Sequence, residues 1–277
     1  MLFKIISLDI DGTLTNSRKQ ITAKTRDQLI RFQKNGGIVV LASGRPTEGI
    51  LPYANILRLR EFGGYILAYN GGIVIECRTG KVLFSNTFPL SLIPDICSVL
   101  KDYPAGITAY QNGTIIVGCQ MNRYAVIEAN INHMPFCFAE DFPSAVTSET
   151  AKCLLHGEPS VISELETVLS GLFGDRIGVY RSEPYFLELV PQNVDKAASL
   201  DRLLHLLHIS SDECIACGDG FNDVSMIRYA GLGIAMSNAS EAVKQAADYV
   251  TDSNDADGIA CLLSKMGRSV FPSLAML

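Results

Sequence analysis

The stretch Phe3-Lys-Ile-Ile-Ser-Leu-Asp-Ile-Asp-Gly-Thr13 joins a short apolar run to a polar loop with two carboxylates. A run of this kind that ends abruptly at Asp9 predicts a buried strand opening into a loop. Asp9 and Asp11 are separated by one residue, so in an extended chain both side chains leave on the same side. One carboxylate can attack while the other moves a proton, which is the arrangement for phosphoryl transfer through an aspartyl phosphate.

The pattern strand, helix, strand repeats after this loop. Thr22 predicts the cap of a helix that stops at Asn35-Gly36-Gly37. Apolar runs at 38–42 and 64–68 predict the next strands, and Asn70-Gly71-Gly72 predicts a hairpin. This beginning of the chain is typical of a βαβαβ unit with a parallel sheet.

The middle of the chain has a different character. Over residues 86–186, hairpin signals and helical stretches alternate with short strands, which predicts an α+β segment large enough to be its own domain. The α/β rhythm is expected to resume with a strand ending at Val190. We therefore predict a discontinuous α/β core, residues 1–85 and 187–277, interrupted by an α+β cap over 86–186.

Composition and charge limit the classes of partner. The 277 residues are 48% hydrophobic and 19% charged, which is typical of a globular chain. The 23 basic against 29 acidic residues give a net charge of −6, which argues against nucleic acid or an anionic membrane as partner. No run of about 18 apolar residues occurs, so we expect a soluble, cytoplasmic protein without a membrane span.

The eight cysteines favour buried free thiols in a reducing compartment over a disulfide framework, because most lie inside apolar runs. The pair Cys214-Ile-Ala-Cys217 has the spacing of a redox or zinc motif, but neither a second cysteine pair nor a His-x-His partner stands near it. A plain buried strand is the favoured reading of this pair, with the redox or zinc site as the alternative.

Polar residues collect where the predicted strands end. In open α/β sheets, ligands bind beyond the carboxyl ends of the strands. Four carboxylates at one edge require a cation, and oxygen ligands favour a hard ion such as Mg²⁺. A hydroxyl and a backbone amide at a strand end suit phosphate oxygens. The residues at this edge are Asp9, Asp11, Ser43, Gly44, Asn70, Gly71, Asp219, Asn222 and Asp223, with Lys196 at the start of a later helix.

Other readings of these motifs are weaker. A calcium loop starting at Asp9 needs glycine sixth and glutamate twelfth, whereas Gly12 is fourth and Gln20 twelfth. A dinucleotide fingerprint at Gly218-Asp-Gly-Phe-Asn-Asp223 lacks its third glycine, and the carboxylate there would repel a pyrophosphate. Taken alone, Ser43-Gly44-Arg45 favours a simple turn and Lys196 a solvated lysine. The segment 252–258 is typical of a solvated turn with a helix cap.

Taken together, the motifs resemble those of the haloacid dehalogenase superfamily, and residues 3 to about 265 resemble its Cof-type sugar-phosphatase branch. The resemblance implies a Rossmann-like parallel-sheet core with an inserted α+β cap. Departures from the family pattern are small: Ser43 where threonine is common, and Asp195 and Ala197 beside Lys196. The motifs that carry the resemblance are Asp9-Ile-Asp-Gly-Thr13, Ala42-Ser-Gly-Arg45, Asn70-Gly71, Lys196 and Gly218-Asp-Gly-Phe-Asn-Asp223.

The resemblance also implies roles for individual residues. It makes Asp9 the nucleophile and Asp11 the general acid and then the base for the hydrolytic water. It gives phosphate binding to Ser43 and Lys196, with Asn222 near the phosphate, and the Gly44 amide is added to these phosphate-binding residues because of its place at the strand end. Mg²⁺ is the implied cofactor, and the implied metal ligands are Asp9, the backbone carbonyl of Asp11, and Asp219, with Asp223 in support.

The function expected is Mg²⁺-dependent hydrolysis of a small phosphomonoester, a sugar phosphate or related metabolite, with the cap selecting the leaving group. Two alternatives stay open. A phosphomutase would return the phosphoryl group to its sugar phosphate. A non-catalytic sensor of a phosphorylated ligand would be marked by loss of Asp9, Asp11 or Lys196, and all three are present. The sequence leaves the substrate and the oligomeric state open.

Overall fold

The structure is a computed structural model that describes residues 3–267. The strands in chain order are β1 (Ile5–Leu8), β2 (Ile38–Ala42), β3 (Tyr65–Ala68), β4 (Ile73–Glu76), β5 (Val82–Ser85), β6 (Ala105–Gln111), β7 (Thr114–Gly118), β8 (Phe136–Phe138), β9 (Cys153–Gly157), β10 (Ile177–Glu183), β11 (Phe186–Pro191), β12 (Cys214–Gly218), β13 (Leu232–Met236) and β14 (Tyr249–Thr251). The helices are α1 (Ala23–Lys34), α2 (Thr47–Ile56), α3 (Leu59–Phe62), α4 (Ile93–Leu100), α5 (Arg123–Asn132), α6 (Phe142–Ala145), α7 (Pro159–Phe173), α8 (Lys196–Leu207), α9 (Val224–Tyr229), α10 (Glu241–Ala246) and α11 (Gly258–Met266).

The first sheet has β1 near its centre. Among the described residues its strands follow the order β14-β13-β12-β1-β2-β3-β4-β5. From β14 to β3 all neighbours are parallel, whereas β3 and β4 form the antiparallel hairpin predicted at Asn70-Gly71-Gly72. All four residues of β1 are buried, because parallel strands are covered on both faces. The predicted α/β class with a parallel-sheet core is confirmed.

Helices of this unit follow the expected signals. The Thr22 side chain accepts a hydrogen bond from the Thr25 amide and caps α1, and Asn35 ends that helix, as predicted. Helix α8 packs Leu200, Leu203 and Leu204 against apolar residues of β1, β2, β3 and β12. Burial of this apolar stripe fixes the helix on the sheet.

The second sheet has the order β10-β11-β9-β6-β7-β8 within the described chain. Strands β6 and β7 form the predicted hairpin. Alternate residues such as Ile107, Leu155 and Leu189 pack with Leu165 and Leu169 of α7, because side chains alternate across a strand. This unit therefore has its own hydrophobic core.

The described chain divides into two compact units. One contains the residues up to 84 and from 195 onward, and the other contains residues 85–194. The expectation that the core sheet resumes at Val190 is wrong: β11 pairs with β9 and β10 in the second sheet. An apolar strand buried on both faces has the same local pattern in either sheet, so only its long-range pairing decides where it belongs.

The cysteines are less uniform than expected. Cys214 and Cys217 are buried in β12, in agreement with the plain-strand reading. Cys119 and Cys137 are exposed and Cys77 and Cys261 are half-buried, so the expectation of buried thiols is wrong for the first two and holds only in part for the others. Over residues 3–267, no helix combines the length and apolar character that crossing a membrane requires.

Candidate active site

The polar residues predicted at the strand ends do meet at one edge of the first sheet. Asp9 follows β1 directly, Ser43 follows β2, Asn70 lies two residues after β3, and Asp219 follows β12. These strands are parallel neighbours, so their carboxyl ends lie side by side. The loops after them form the candidate site.

A buried lysine joins two acids at the centre of the site. The Nζ of Lys196 donates to Asp9 Oδ1 at 2.7 Å and to Asp223 Oδ1 at 2.6 Å. Lys196 is 1% exposed, because it is the first residue of α8 and points inward from the helix. The reading of Lys196 as a solvated lysine is therefore wrong.

The helix position of Lys196 is fixed by its neighbour. The Asp195 carboxylate accepts hydrogen bonds from the amides of Ala197 and Ala198 at 2.8 and 3.0 Å, which satisfies two amides of the first helical turn. Asp195 therefore keeps the capping function although it differs from the family pattern.

The loop after β12 is organised by Asp223. Its Oδ2 accepts from the amides of Asp219 and Gly220 at 3.0 and 2.9 Å. Asp219 Oδ1 accepts from the Thr13 hydroxyl at 2.7 Å, which ties this loop to the loop after β1. The Nδ2 of Asn238 donates to the carbonyl of Gly12 at 2.9 Å and approaches Asp219 Oδ2 at 3.4 Å.

The acids form a cluster suited to a cation. Asp9, Asp219 and Asp223 each offer one carboxylate oxygen, and these oxygens lie within 4.8 Å of one another. Burial and the charge of Asp223 raise the pKa of Asp9 well above its usual value, although Lys196 opposes this rise. Burial and Asp223 also raise the pKa of Asp219 to about 6, against the Thr13 hydrogen bond. Burial is the main cause of both shifts and the neighbouring acid adds to it, and a bound cation would oppose both effects by favouring the ionised carboxylates.

The contacts of Lys196 with Asp9 and Asp223 also shift the pKa of the lysine. Burial alone would lower this pKa, but the carboxylates of Asp223 and Asp9 outweigh burial and hold it above its usual value. Lys196 is therefore a permanent positive charge between two acids.

The Asp11 carboxylate is not part of this cluster and forms ion pairs with two cationic side chains. The guanidinium of Arg45 donates from Nε to Oδ2 at 2.6 Å and from Nη2 to Oδ1 at 2.8 Å, a bidentate pair. The Lys19 Nζ donates to Oδ1 at 2.7 Å. Burial would raise the pKa of Asp11, but Arg45 and Lys19 outweigh it and hold this pKa below its usual value. In this conformation Asp11 is an ionised carboxylate.

The predicted phosphate-binding residues form a third group. Ser43 is 3% exposed, and its carbonyl accepts from the Asn70 amide at 2.8 Å. The Nδ2 of Asn222 donates to Asn70 Oδ1 at 3.0 Å, and the Asn70 side chain lies beside Gly44. The structure thus brings together all the residues predicted for the site, in three adjoining groups. Their individual roles stay predictions.

Three contacts were missed by the sequence reasoning. Arg45 stood inside the quoted motif but received no role, because a spacing pattern does not show which way a long side chain reaches. Asn238 lies two residues after β13, a parallel neighbour of β12, so the strand-end rule could have identified it. Lys19 carried no local signal, because it follows no strand and reaches Asp11 from a loop.

The comparison with known families agrees with this geometry. The sequence model of the haloacid dehalogenase-like hydrolases matches residues 6–263, which is nearly the whole chain. The protein belongs to this family, and the resemblance inferred from the motifs is confirmed.

Similar proteins extend the comparison. A haloacid dehalogenase-like hydrolase from Bacteroides thetaiotaomicron is 45% identical, with a TM-score of 0.92 over 95% of this chain and 99% of that chain. The sugar phosphatase BT4131, of subclass IIB, is 26% identical, with a TM-score of 0.80 over 95% of this chain and 99% of that chain. A provisionally assigned phosphatase of Bacillus subtilis, YxeH, is 28% identical over 94% of this chain and 96% of its own length.

The family, the fold and the site together identify the protein as a phosphatase, a hydrolase of phosphoric monoester bonds. The predicted enzyme class is confirmed.

Proposed function

We propose that the protein is a Mg²⁺-dependent phosphatase of small phosphomonoesters that works through an aspartyl phosphate on Asp9. The observation that carries the proposal is the buried contact of Asp9 with Lys196, next to Asp219 and Asp223. A carboxylate nucleophile, a fixed ammonium and an acidic cluster are the parts that phosphoryl transfer needs.

The donor set suits a hard divalent cation. Every group of the cluster is a carboxylate, and oxygen-only ligands favour Mg²⁺. Both oxygens of Asp223 already accept hydrogen bonds, so we assign the ligands to Asp9, Asp219 and the backbone carbonyl of Asp11, with Asp223 holding the loop. When bound, the ion would neutralise charge on the transferring phosphoryl group.

Asp9 is placed to act as the nucleophile. Lys196 holds its Oδ1, and the described residues give its Oδ2 no hydrogen-bond partner. Attack of this carboxylate on phosphorus breaks the ester P–O bond and leaves the phosphoryl group on Asp9. Ser43, the Gly44 amide and Lys196 are assigned to the phosphoryl oxygens, with Asn222 beside them.

Asp11 is assigned the proton transfers. It gives a proton to the leaving oxygen in the first step and takes one from the hydrolytic water in the second. The ionised form held by Arg45 and Lys19 suits the second role. The first role requires Asp11 to be protonated, so it must give up these cations before the leaving group departs.

We assign the choice of substrate to the unit of residues 85–194, acting as the cap. Sugar phosphates are the class proposed, supported by the similarity to a sugar phosphatase. We propose a cytoplasmic location, because eight free thiols suit a reducing compartment.

The test is phosphate release from a panel of sugar phosphates, nucleotides, cofactor phosphates and one aryl phosphate. Asp9→Asn should abolish release, because an amide cannot form the acyl phosphate. The matched control is Asp175→Asn at an exposed aspartate, which should retain turnover. Retained turnover in the Asp9 variant would overturn the proposed nucleophile.

Metal dependence is tested on the same panel. EDTA should abolish release, and added Mg²⁺ should restore it. Turnover that survives EDTA would contradict the metal requirement. An isomerised sugar phosphate without free phosphate would indicate the phosphomutase instead.

A further inference from the structure

The residues that hold Asp11 form a basic part of the active site. Arg45 binds the Asp11 carboxylate with hydrogen bonds of 2.6 and 2.8 Å, and the Lys19 Nζ binds the same carboxylate at 2.7 Å. This group of two cations and one carboxylate has a net positive charge. The neighbouring cluster sets three carboxylates against the ammonium of Lys196 and is negative. A negatively charged substituent of a ligand is therefore attracted to the basic part.

Arg45 is held in place by several contacts besides the one with Asp11. Its side chain is 7% exposed, and the guanidinium carbon lies 5.5 Å from the centre of the Tyr53 ring. Its amide donates to Ser43 Oγ at 3.2 Å, and its carbonyl accepts from the Tyr69 amide at 3.0 Å. The planar guanidinium is therefore fixed at the end of β2, and this group binds carboxylates and phosphates through two parallel hydrogen bonds.

Lys19 is positioned by a tight turn. The Asn16 Oδ1 accepts from the amides of Arg18 and Gln20, both at 3.0 Å. The Lys19 amide donates to the Asn16 carbonyl at 2.9 Å, and the Tyr53 hydroxyl donates to the Lys19 carbonyl at 3.4 Å. The φ of Lys19 is 59°, in the left-handed region, where glycine and asparagine are less strained. A lysine at such a backbone position indicates a use for its side chain.

Asp11 leaves this basic part in every turnover of the proposed mechanism. When its carboxylate moves to the leaving oxygen, Arg45 loses the two hydrogen bonds that join it to Asp11. The loss of a charged partner by a buried guanidinium costs free energy. Because the Asp11 side chain is short, the place that it leaves is close to the leaving oxygen that it reaches. An oxyanion of the substrate in that place would restore the hydrogen bonds.

We propose that Lys19 and Arg45 bind a second oxyanion of the substrate, a carboxylate or a further phosphoryl group, in the place that Asp11 occupies in this structure. This contact rests on the proposed phosphatase function and narrows its substrate class. The substrate is then a phosphomonoester with a second acidic group a few bonds from the ester oxygen, such as a phosphorylated sugar acid or a bisphosphate. Sugar phosphates without a second acidic group lack this contact and are poorer substrates.

The test compares phosphate release from two pairs of substrates, each pair differing only at the second group. 3-Phosphoglycerate has a carboxylate where glycerol 3-phosphate has a hydroxymethyl group. Propane-1,3-diol bisphosphate has a phosphoryl group where the monophosphate has a hydroxyl. The selectivity ratio is kcat/KM for the charged member divided by kcat/KM for its neutral partner. In the wild-type protein this ratio should reach about 100 for at least one pair, about tenfold for each cation, and the pair that reaches it distinguishes carboxylate from phosphoryl.

Variants of Lys19 test the contact itself. Lys19→Gln should lower the selectivity ratio about tenfold, whereas Lys19→Arg, which keeps a cationic donor, should retain it. Any effect of Lys19 on Asp11 changes both members of a pair alike, so it cancels from the ratio. The matched control is Arg18→Gln, which removes an exposed cation from the neighbouring position and should retain the ratio.

The outcomes separate this contact from the phosphatase function. A wild-type selectivity ratio near one for both pairs, with an aryl phosphate still hydrolysed, would overturn the second oxyanion site and leave the phosphatase function intact. A ratio that Lys19→Gln leaves unchanged, or that Arg18→Gln lowers equally, would also overturn the site. Failure to release phosphate from every compound, the aryl phosphate included, would overturn the proposed function and this site with it.

Discussion

Gly12 lies at a position that a residue with a side chain cannot occupy without moving the site. Its φ of 86° lies in the left-handed region, and a Cβ there would stand 2.2 Å from Asp219 Oδ2. Gly36 has the same φ of 86°, but its Cβ would meet nothing within 4 Å. Both glycines have a positive φ, but only at Gly12 would a side chain collide with another residue.

Alanine variants of these two glycines therefore distinguish the cost of backbone strain from the effect of displacing the site. Gly36→Ala should lower the free energy of unfolding by about 1–2 kcal/mol and leave turnover unchanged. Gly12→Ala should cost more stability and reduce turnover about 100-fold, because Asp219 must shift. Chemical denaturation and phosphate release measure the two effects. Equal turnover in both variants would count against the role given to Asp219.

At the scale of residues, the sequence predicts which side chains lie at the site but not which hydrogen bonds they form with one another. The acids follow from the strand-end rule, which needs only local apolar runs. The bidentate grip of Arg45 on Asp11 and the contact of Asn238 with Gly12 depend on side-chain direction across two loops. No local pattern encodes that direction.

At the scale of elements, α8 positions Lys196 through its cap. Asp195→Ala should lower the free energy of unfolding by about 1–2 kcal/mol, because two amides of the first turn lose their acceptor. It should also lower turnover, since Lys196 begins the helix. Asp195→Ser is the matched control, as its hydroxyl can accept the same bonds, and should stay within about 0.5 kcal/mol of wild type. An unchanged free energy of unfolding in Asp195→Ala would contradict the capping role of Asp195.

Strand β9 carries the clearest pH prediction. His156 is fully buried, and burial lowers its pKa to about 4. The unfolded chain takes up the proton near the ordinary pKa of about 6.5, so the unfolded state binds more protons below that pH and stability falls. The loss between pH 7 and pH 4 should be about 3 kcal/mol.

Denaturation of wild type and His156→Gln at several pH values measures this contribution. Both proteins share the titration of every other group, so their difference in slope below pH 6.5 reports the histidine. Parallel slopes would contradict a buried neutral His156.

Strand β11 was predicted as a strand but was assigned to the wrong sheet. Its position and strand type were predicted, because an apolar run bounded by turns is a local signal. Its sheet was predicted wrongly, because pairing with Cys153–His156 is a long-range choice. The consequence is a unit boundary at 194/195 where 186/187 was expected.

At the scale of the molecule, residues 85–194 are one continuous piece with their own sheet and core. Expressed alone, this piece should fold and melt cooperatively, because its apolar faces are covered from within. Leu169→Ala, at a buried position of α7, should cost about 2–5 kcal/mol. Leu172→Ala on the same helix is exposed and should cost under about 0.5 kcal/mol. A fragment without a cooperative thermal transition would contradict this independence.

The central place of β1 in its sheet has a consequence for synthesis. Its partner β2 follows it closely in the sequence, whereas its other partner β12 begins only at Cys214. The second edge of β1 therefore stays uncovered until that part of the chain has left the ribosome. Asp9 likewise waits for Lys196 and Asp223. The inserted unit is complete by then and can fold first, since domains fold as they emerge. The nascent chain therefore carries Asp9 long before Lys196 and Asp223 have been made, and we expect activity only after both have left the ribosome.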